Sequence, residues 1–408
     1  MTMSRTAAAG TRAVVAAAWL GSFLGAVLTA ESGVLPDYGF EWATIGDPGN
    51  RATLPNEVLR AAWLLDDGEP FPEYGAVGYV YRIRITEVSL GEWMEFVAAY
   101  MPFYIARTGN FVGEAGLTGD RIQTPFGEPR LVSWAHPDEP ADMSWEYAAR
   151  YCNWLHNGKV EAEWAFESGV YDTTTFVFDG RRAFHQIEPA PGSLFWMPTR
   201  DEWIKAAHYD PDRYGPGREG YWTYPNRSSR RLVGGLLPED GGERNAGPSF
   251  AADPFPLAVG SFPDQRSPWG LLDCAGGMRE WCSENSESCY IDDRPGCRSV
   301  RLFMGSSTYD YIAPHFTDYE EEDLFNADRI EFYGTSSVRA SEGLRLASVE
   351  RAAIDYEARF GVLDLSDLAA FVRLYLDADP RADLAQPFGS IDTHDVSAFV
   401  DRFLAQRD

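Results

Sequence analysis

Along residues 91–101, GEWMEFVAAYM, the large apolar side chains return every three or four positions at Trp93, Phe96, Val97 and Tyr100. That spacing predicts a helix with one buried face. The stretch SWEYAARYCNWLHNG repeats the pattern with Trp145, Ala148, Cys152 and Leu155, so Cys152 is expected to point inward. Ser144 is its expected N-cap and Gly158 its stop. A third helix is predicted in TRDEWIKAAHY, capped by Thr199, with Asp201 and Glu202 in the first turn where the helix dipole favours acids. Residues 77–89, VGYVYRIRITEVS, read differently: Val80, Arg82 and Arg84 interleave with apolar partners as in a half-buried strand. A polar, glycine-bearing insertion, residues 158–193, separates the second and third helices. The remainder to residue 348 is punctuated by Gly, Pro and Asp, which predicts loops wrapped on a small sheet.

Past ASVERAAIDYEAR the texture changes. FGVLDLSDLAAFVRLYL from Phe360 matches FGSIDTHDVSAFVDRFL from Phe388, pairing Asp364 with Asp392, Asp367 with Asp395 and Phe371 with Phe399 at a fixed offset of 28 residues. Each copy reads as a turn followed by an amphipathic helix, which sets residues 350–408 apart as a module of two helices. Phe371, Leu376, Phe399 and Phe403 are expected to form their mutual core. At the other end, Arg5 and Arg12 precede the apolar run AVVAAAWLGSFLGAVLTA and a small-residue exit at Ala30. That is the pattern of a signal peptide over residues 1–30, implying export to a secreted, periplasmic or cell-surface location with no membrane span after cleavage.

Charge narrows the partners. With 35 basic against 62 acidic residues the net charge is −27, which repels phosphate backbones and argues against nucleic acid. Export permits disulfides, yet the cysteines number five, Cys152, Cys274, Cys282, Cys289 and Cys297, so at least one is left unpaired within the chain. Cys289 and Cys297 are spaced to close a short loop, and spacing alone leaves the connectivity open. No HExxH, GxSxG or Walker pattern appears.

Six segments in order, YRIRITEVSLGEWMEF, PADMSWEYAARYCNWL, FWMPTRDEW, GLLDCAGGMREW, LFMGSS and EGLRLAS, resemble the formylglycine-generating enzyme family, the sulfatase-modifying factors. The resemblance covers roughly residues 38–348, which sets the domain at residues 31–349, and looks closest to a secreted bacterial branch. It implies an α+β fold: a loop-rich variant of the C-type lectin fold with a small antiparallel sheet and a few helices. It also implies structural calcium. One set of ligands falls on Asp273 and Glu280 through side chains and on Gly276 and Met278 through carbonyls, with asparagine usual in the family at the Asp273 position. A second falls on Asn245 and Asp253, with carbonyls of Ala246 and Phe255. Calcium takes six to eight oxygens of these kinds.

The family's chemistry needs two cysteines just after a GGS turn, which hold copper(I) and activate oxygen to oxidise a substrate cysteine. Counted from Ser307, those positions carry Asp310 and His315, and no cysteine follows Cys297. Copper(I) prefers soft thiolates, so copper is not expected. The repeat at 350–408 resembles dockerin, a module that docks secreted bacterial proteins onto cohesin-like or cell-surface receptors. Where a calcium loop needs acids, however, it has Tyr356, Ala358 and Phe360, then Leu384, Gln386 and Phe388. Three functions stay in view. The first is recognition of a peptide, glycan or surface ligand without catalysis. The second is an oxidoreductase with a metal site rebuilt on Asp310 and His315. The third is lectin-like carbohydrate binding, suggested by thirteen tryptophans.

Overall fold

The computed structural model describes most of residues 37–349, apart from 58–72, 246–256, 308–341 and several shorter stretches, together with 365–376 and parts of 396–403. The signal-peptide reading of residues 1–30 lies outside the described residues. The chain divides into two compact units, one of them Tyr38–Glu350 and the other containing Arg351–Asp408.

In the larger unit the first predicted helix, α1, spans Leu90–Thr108. It starts on a capping box in which the Ser89 hydroxyl accepts from the Glu92 N–H while the Glu92 carboxylate accepts from the Ser89 N–H. It runs through Pro102, past the predicted end at Met101, because Tyr104 is also buried and Gly109 supplies a left-handed cap at φ 68°. Trp93, Phe96, Val97 and Tyr100 are all buried as the spacing requires.

The second helix, α2, spans Trp145–His156 and packs its aromatics onto α1, with the Phe96 and Tyr151 rings edge to face at 5.5 Å between centroids. Cys152 is fully buried. Ser144 stands at the cap position with extended backbone, but its hydroxyl makes no capping bond. That side chain is buried against Gly116 instead, where any Cβ would come within 2.9 Å of the hydroxyl. The third helix, α3, spans Arg200–His208 and has the full capping box of Thr199 and Glu202.

The insertion 158–193 is moored by a residue the apolar pattern does not single out. Asn153, fully buried on α2, donates to the Phe166 and Tyr171 carbonyls at 2.9 and 2.8 Å and accepts from the Val170 and Tyr171 N–H groups. One amide thus satisfies four backbone groups of an otherwise irregular segment.

The two main sheets of the unit are built from β1 Trp42–Ile45, β2 Tyr81–Arg84, β3 Phe195–Trp196, β4 Arg279–Ile291, β5 Arg294–Met304, β6 Glu342–Gly343 and β7 Ala347–Val349. β1, β2, β7 and β3 form an antiparallel sheet in that order, Ile83 of β2 facing Ala43 on one side and Ala347 on the other. β4 pairs antiparallel with β5 and parallel with β6. Helices beside small, mainly antiparallel sheets are what the predicted α+β class requires. In the β4–β5 hairpin Ser288 faces Arg298 and Tyr290 faces Pro295, so the backbone brings positions 289 and 297 onto facing segments.

In the smaller unit α4 spans Leu365–Leu376. Phe371 stacks on Phe399, 28 residues on, with centroids 4.3 Å apart and planes 13° from parallel, and Phe399 stacks in turn on Phe403. Leu376 is a correction: it is 76% exposed. Five residues beyond Phe371, a helix has turned it to roughly the opposite face.

Candidate functional site

The strongest concentration of buried polar groups surrounds the loop from Leu272 to Glu280. Its backbone is unusual, with Asp273, Gly276 and Gly277 all at positive φ, 57°, 89° and 77°. At Gly276 the reason is close approach, since a Cβ would stand 2.6–2.7 Å from Asn245 backbone atoms. The two residues form a parallel bridge, extended when Gly277 donates to the Asn245 carbonyl at 2.9 Å. At Gly277 a Cβ would come within 2.5 Å of a Glu87 carboxylate oxygen. Only glycine meets both demands, left-handed backbone and no side-chain volume.

Three carboxylates and one guanidinium meet beneath this loop. Arg345, fully buried, directs Nε and Nη2 to Glu280 at 2.8 and 2.7 Å. Its remaining N–H groups reach the carbonyls of Arg84, Ile85 and Leu272. All five donors of the guanidinium are therefore used. Glu280, 1% exposed, also accepts from the Trp203 indole N–H. Glu87, equally buried, accepts from the Met278 N–H at 2.6 Å through Oε1, while Oε2 has no partner among the described residues. Burial, with Glu280 and Asp273 adding repulsion, holds the Glu87 carboxyl well above the usual range.

Asp273 accepts from the Gly260 N–H, and burial pushes its carboxyl up from 3.8 to about 6. Between those values the native state keeps a proton that the unfolded chain has released, so this group costs stability as pH rises through the window. Asp273→Asn, which retains an acceptor for Gly260, is therefore expected to raise stability near neutral pH by up to about 3 kcal/mol. Below pH about 4 it should leave stability unchanged. Urea titrations at the two pH values, in chelator, measure the difference.

The loop's outer side packs on the turn after β5. Gly276 donates to both the carbonyl and the hydroxyl oxygen of Ser306, and Arg244, 2% exposed, reaches the same hydroxyl at 3.4 Å. Ser307, from which the family's cysteine positions are counted, is buried beside it. It is Ser306 that touches the glycine loop. Asp310 and His315 lie outside the described residues.

The same geometry bears on the calcium ligands that the resemblance implies. Glu280 has both oxygens engaged by Arg345 and one also by Trp203, and Asp273 is tied to Gly260. The positive charge facing Glu280 in this arrangement is the Arg345 guanidinium. Among the described residues no three His, Cys, Asp or Glu side chains are grouped to hold a metal ion. Of the second set, the Asn245 amide donates to the Leu257 carbonyl and accepts from the Leu257 N–H. Ala246, Asp253 and Phe255 lie outside the described residues.

Glu87, Trp203, Arg244, Ser306 and Arg345 are site residues that reasoning from the sequence missed. Arg345 had one signal, a lone charge inside the apolar run GLRLA. A charge in a buried segment requires a buried partner.

With this geometry in place, comparison with known proteins defines the class. Residues 59–334 match the sulfatase-modifying factor enzyme 1-like domain, and the chain belongs to that family. Among solved structures it is similar to Treponema denticola variable protein 1, with 16% identity over 79% of this chain and 99% of that one and a TM-score of 0.42. CarF matches at 16% identity over 78% and 100% with the same score. PvdO from Pseudomonas aeruginosa matches at 16% over 76% and 94% with a TM-score of 0.39. No curated protein matches.

Proposed function

We propose that this chain is a recognition or surface-assembly member of the family, exported and anchored through its C-terminal repeat, and that it does not oxidise cysteine to formylglycine. The observation that carries this reading is the state of its thiols. No cysteine follows Cys297, so the turn at Ser306 and Ser307 leads to an acid and an imidazole at Asp310 and His315. Cys152, Cys274 and Cys282 are buried, and burial pushes each thiol up, away from the thiolate that copper(I) needs. Among the described residues no helix is long and apolar enough to cross a membrane.

The lectin-like reading loses its main support because the motif tryptophans are structural. Trp93, Trp145, Trp154, Trp203 and Trp281 are all buried. Calcium enters the proposal through both sets, Asp273, Gly276, Met278 and Glu280, and Asn245, Ala246, Asp253 and Phe255. Adding calcium to chelator-treated protein is expected to raise the melting temperature, and Asp253→Ala to reduce that rise.

The oxidase reading has a direct assay. Pure protein incubated with a CxPxR peptide, copper and reductant is expected to give no aldehyde detectable by mass spectrometry. Multiple-turnover product, abolished by Asp310→Ala or His315→Ala, would replace this proposal with a rebuilt oxidase.

A further inference from the structure

The β4–β5 hairpin carries two cysteines that the site does not use, Cys289 and Cys297. Glu287 faces Ser299 and Ser288 faces Arg298, and the same register carried one step toward the turn sets Cys289 opposite Cys297. Beyond that step Tyr290 faces Pro295 and Ile291 faces Arg294. The register therefore shifts between Ser288 and Tyr290, where Cys289 opposes two residues, Gly296 and Cys297. That is a β-bulge, and glycine is one of its two residues. Directly opposed positions of an antiparallel pair share a face and stand about 4.5–5.5 Å apart at Cα, within the roughly 4.4–6.8 Å that a disulfide spans. The backbone register thus meets the reach of the bond.

The other cysteines compete poorly for either position. Cys282 precedes Cys289 on β4 by about 20 Å of extended strand, between Trp281, which faces Phe303, and Asn285, which faces Arg301. Cys152, Cys274 and Cys282 are buried free thiols, and burial pushes each up, away from the thiolate that disulfide exchange requires. From this placement we infer that Cys289 and Cys297 are joined by a disulfide across the bulge, closing residues 289–297 into a ring and leaving the other three cysteines as thiols. The oxidant is a disulfide donor of the kind found in oxidising compartments. One thiolate attacks it, forming a mixed disulfide and releasing a thiol, and the second thiolate displaces the remaining donor thiol. The chain gives up two electrons and two protons, and the donor becomes two thiols. The bond fixes a register that would otherwise be free to slip by one residue at the bulge. This inference goes beyond the recognition reading and does not depend on it.

The test equilibrates the folded full chain with glutathione and glutathione disulfide, quenches in acid, alkylates with iodoacetamide in denaturant and digests with trypsin. Arg294 precedes Pro295 and resists cleavage, so residues 280–298 leave as one peptide holding Cys282, Cys289 and Cys297. At an oxidising poise this peptide is expected to carry one alkyl group, on Cys282, and to accept two more only after reduction. Cleavage before Asp292 should leave its halves joined until reductant is added. Cys289→Ser should expose Cys297 to alkylation, and Cys297→Ser should expose Cys289. Repeating the equilibration in urea separates register from mere nearness in sequence: ring formation should be roughly tenfold more favourable in the folded chain. Three alkyl groups on the peptide at the oxidising poise overturn the inference. So does a bond from either cysteine to Cys152, Cys274 or Cys282, or glutathione held on both positions. Equal ring formation with and without urea overturns it as well, because the hairpin register would then contribute nothing.

Discussion

Arg345→Met is expected to lower the unfolding free energy of the larger unit by about 3–5 kcal/mol, the range for removing one partner of a buried ion pair. The guanidinium is fully buried and makes five hydrogen bonds, two to Glu280 and three to backbone carbonyls. Methionine fills much of the volume, so the loss reports charge and hydrogen bonding more than a cavity. Glu280 would be left 1% exposed with only the Trp203 indole N–H to balance its charge. The double variant Arg345→Met/Glu280→Gln should recover part of the loss, because no ion is then stranded. Urea unfolding followed by tryptophan fluorescence gives both values. A single variant within 1 kcal/mol of wild type, roughly the value of an exposed pair, would show that Glu280 is not buried as described.

Gly276→Ala should cost about 3 kcal/mol for a separate reason. The residue sits at φ 89°, where a Cβ carries a penalty of about 1–2 kcal/mol. The new methyl would also overlap the Asn245 backbone at 2.6–2.7 Å, an overpacking cost of about 1–3 kcal/mol. Gly241 provides the control, with φ 88° and nothing within 4 Å of the position a Cβ would take, so Gly241→Ala should show the backbone penalty alone. The difference between the variants isolates the contact between the glycine loop and Asn245. Equal losses would mean that this contact yields freely.

Much of the fold is local and was readable. The spacing of Trp93, Phe96, Val97 and Tyr100 places α1, and Thr199 with Glu202 starts α3, because periodicity and capping act over three or four residues. That no cysteine follows Cys297 is likewise a property of the sequence alone. The repeat placed Phe371 against Phe399 correctly, while Leu376 went astray because an apolar side chain at a helix end does not state which way it faces.

Tertiary structure decided the rest. Glu280 and Arg345 stand 65 residues apart, and Asn153 clamps a segment more than ten residues downstream. Ser306 rather than its neighbour meets Gly276, 30 residues away. Each of these is a hydrogen bond between groups whose separation along the chain carries no periodic signal. The pairing arises because burial removes water from both groups, so each must be satisfied by protein partners that folding brings within reach.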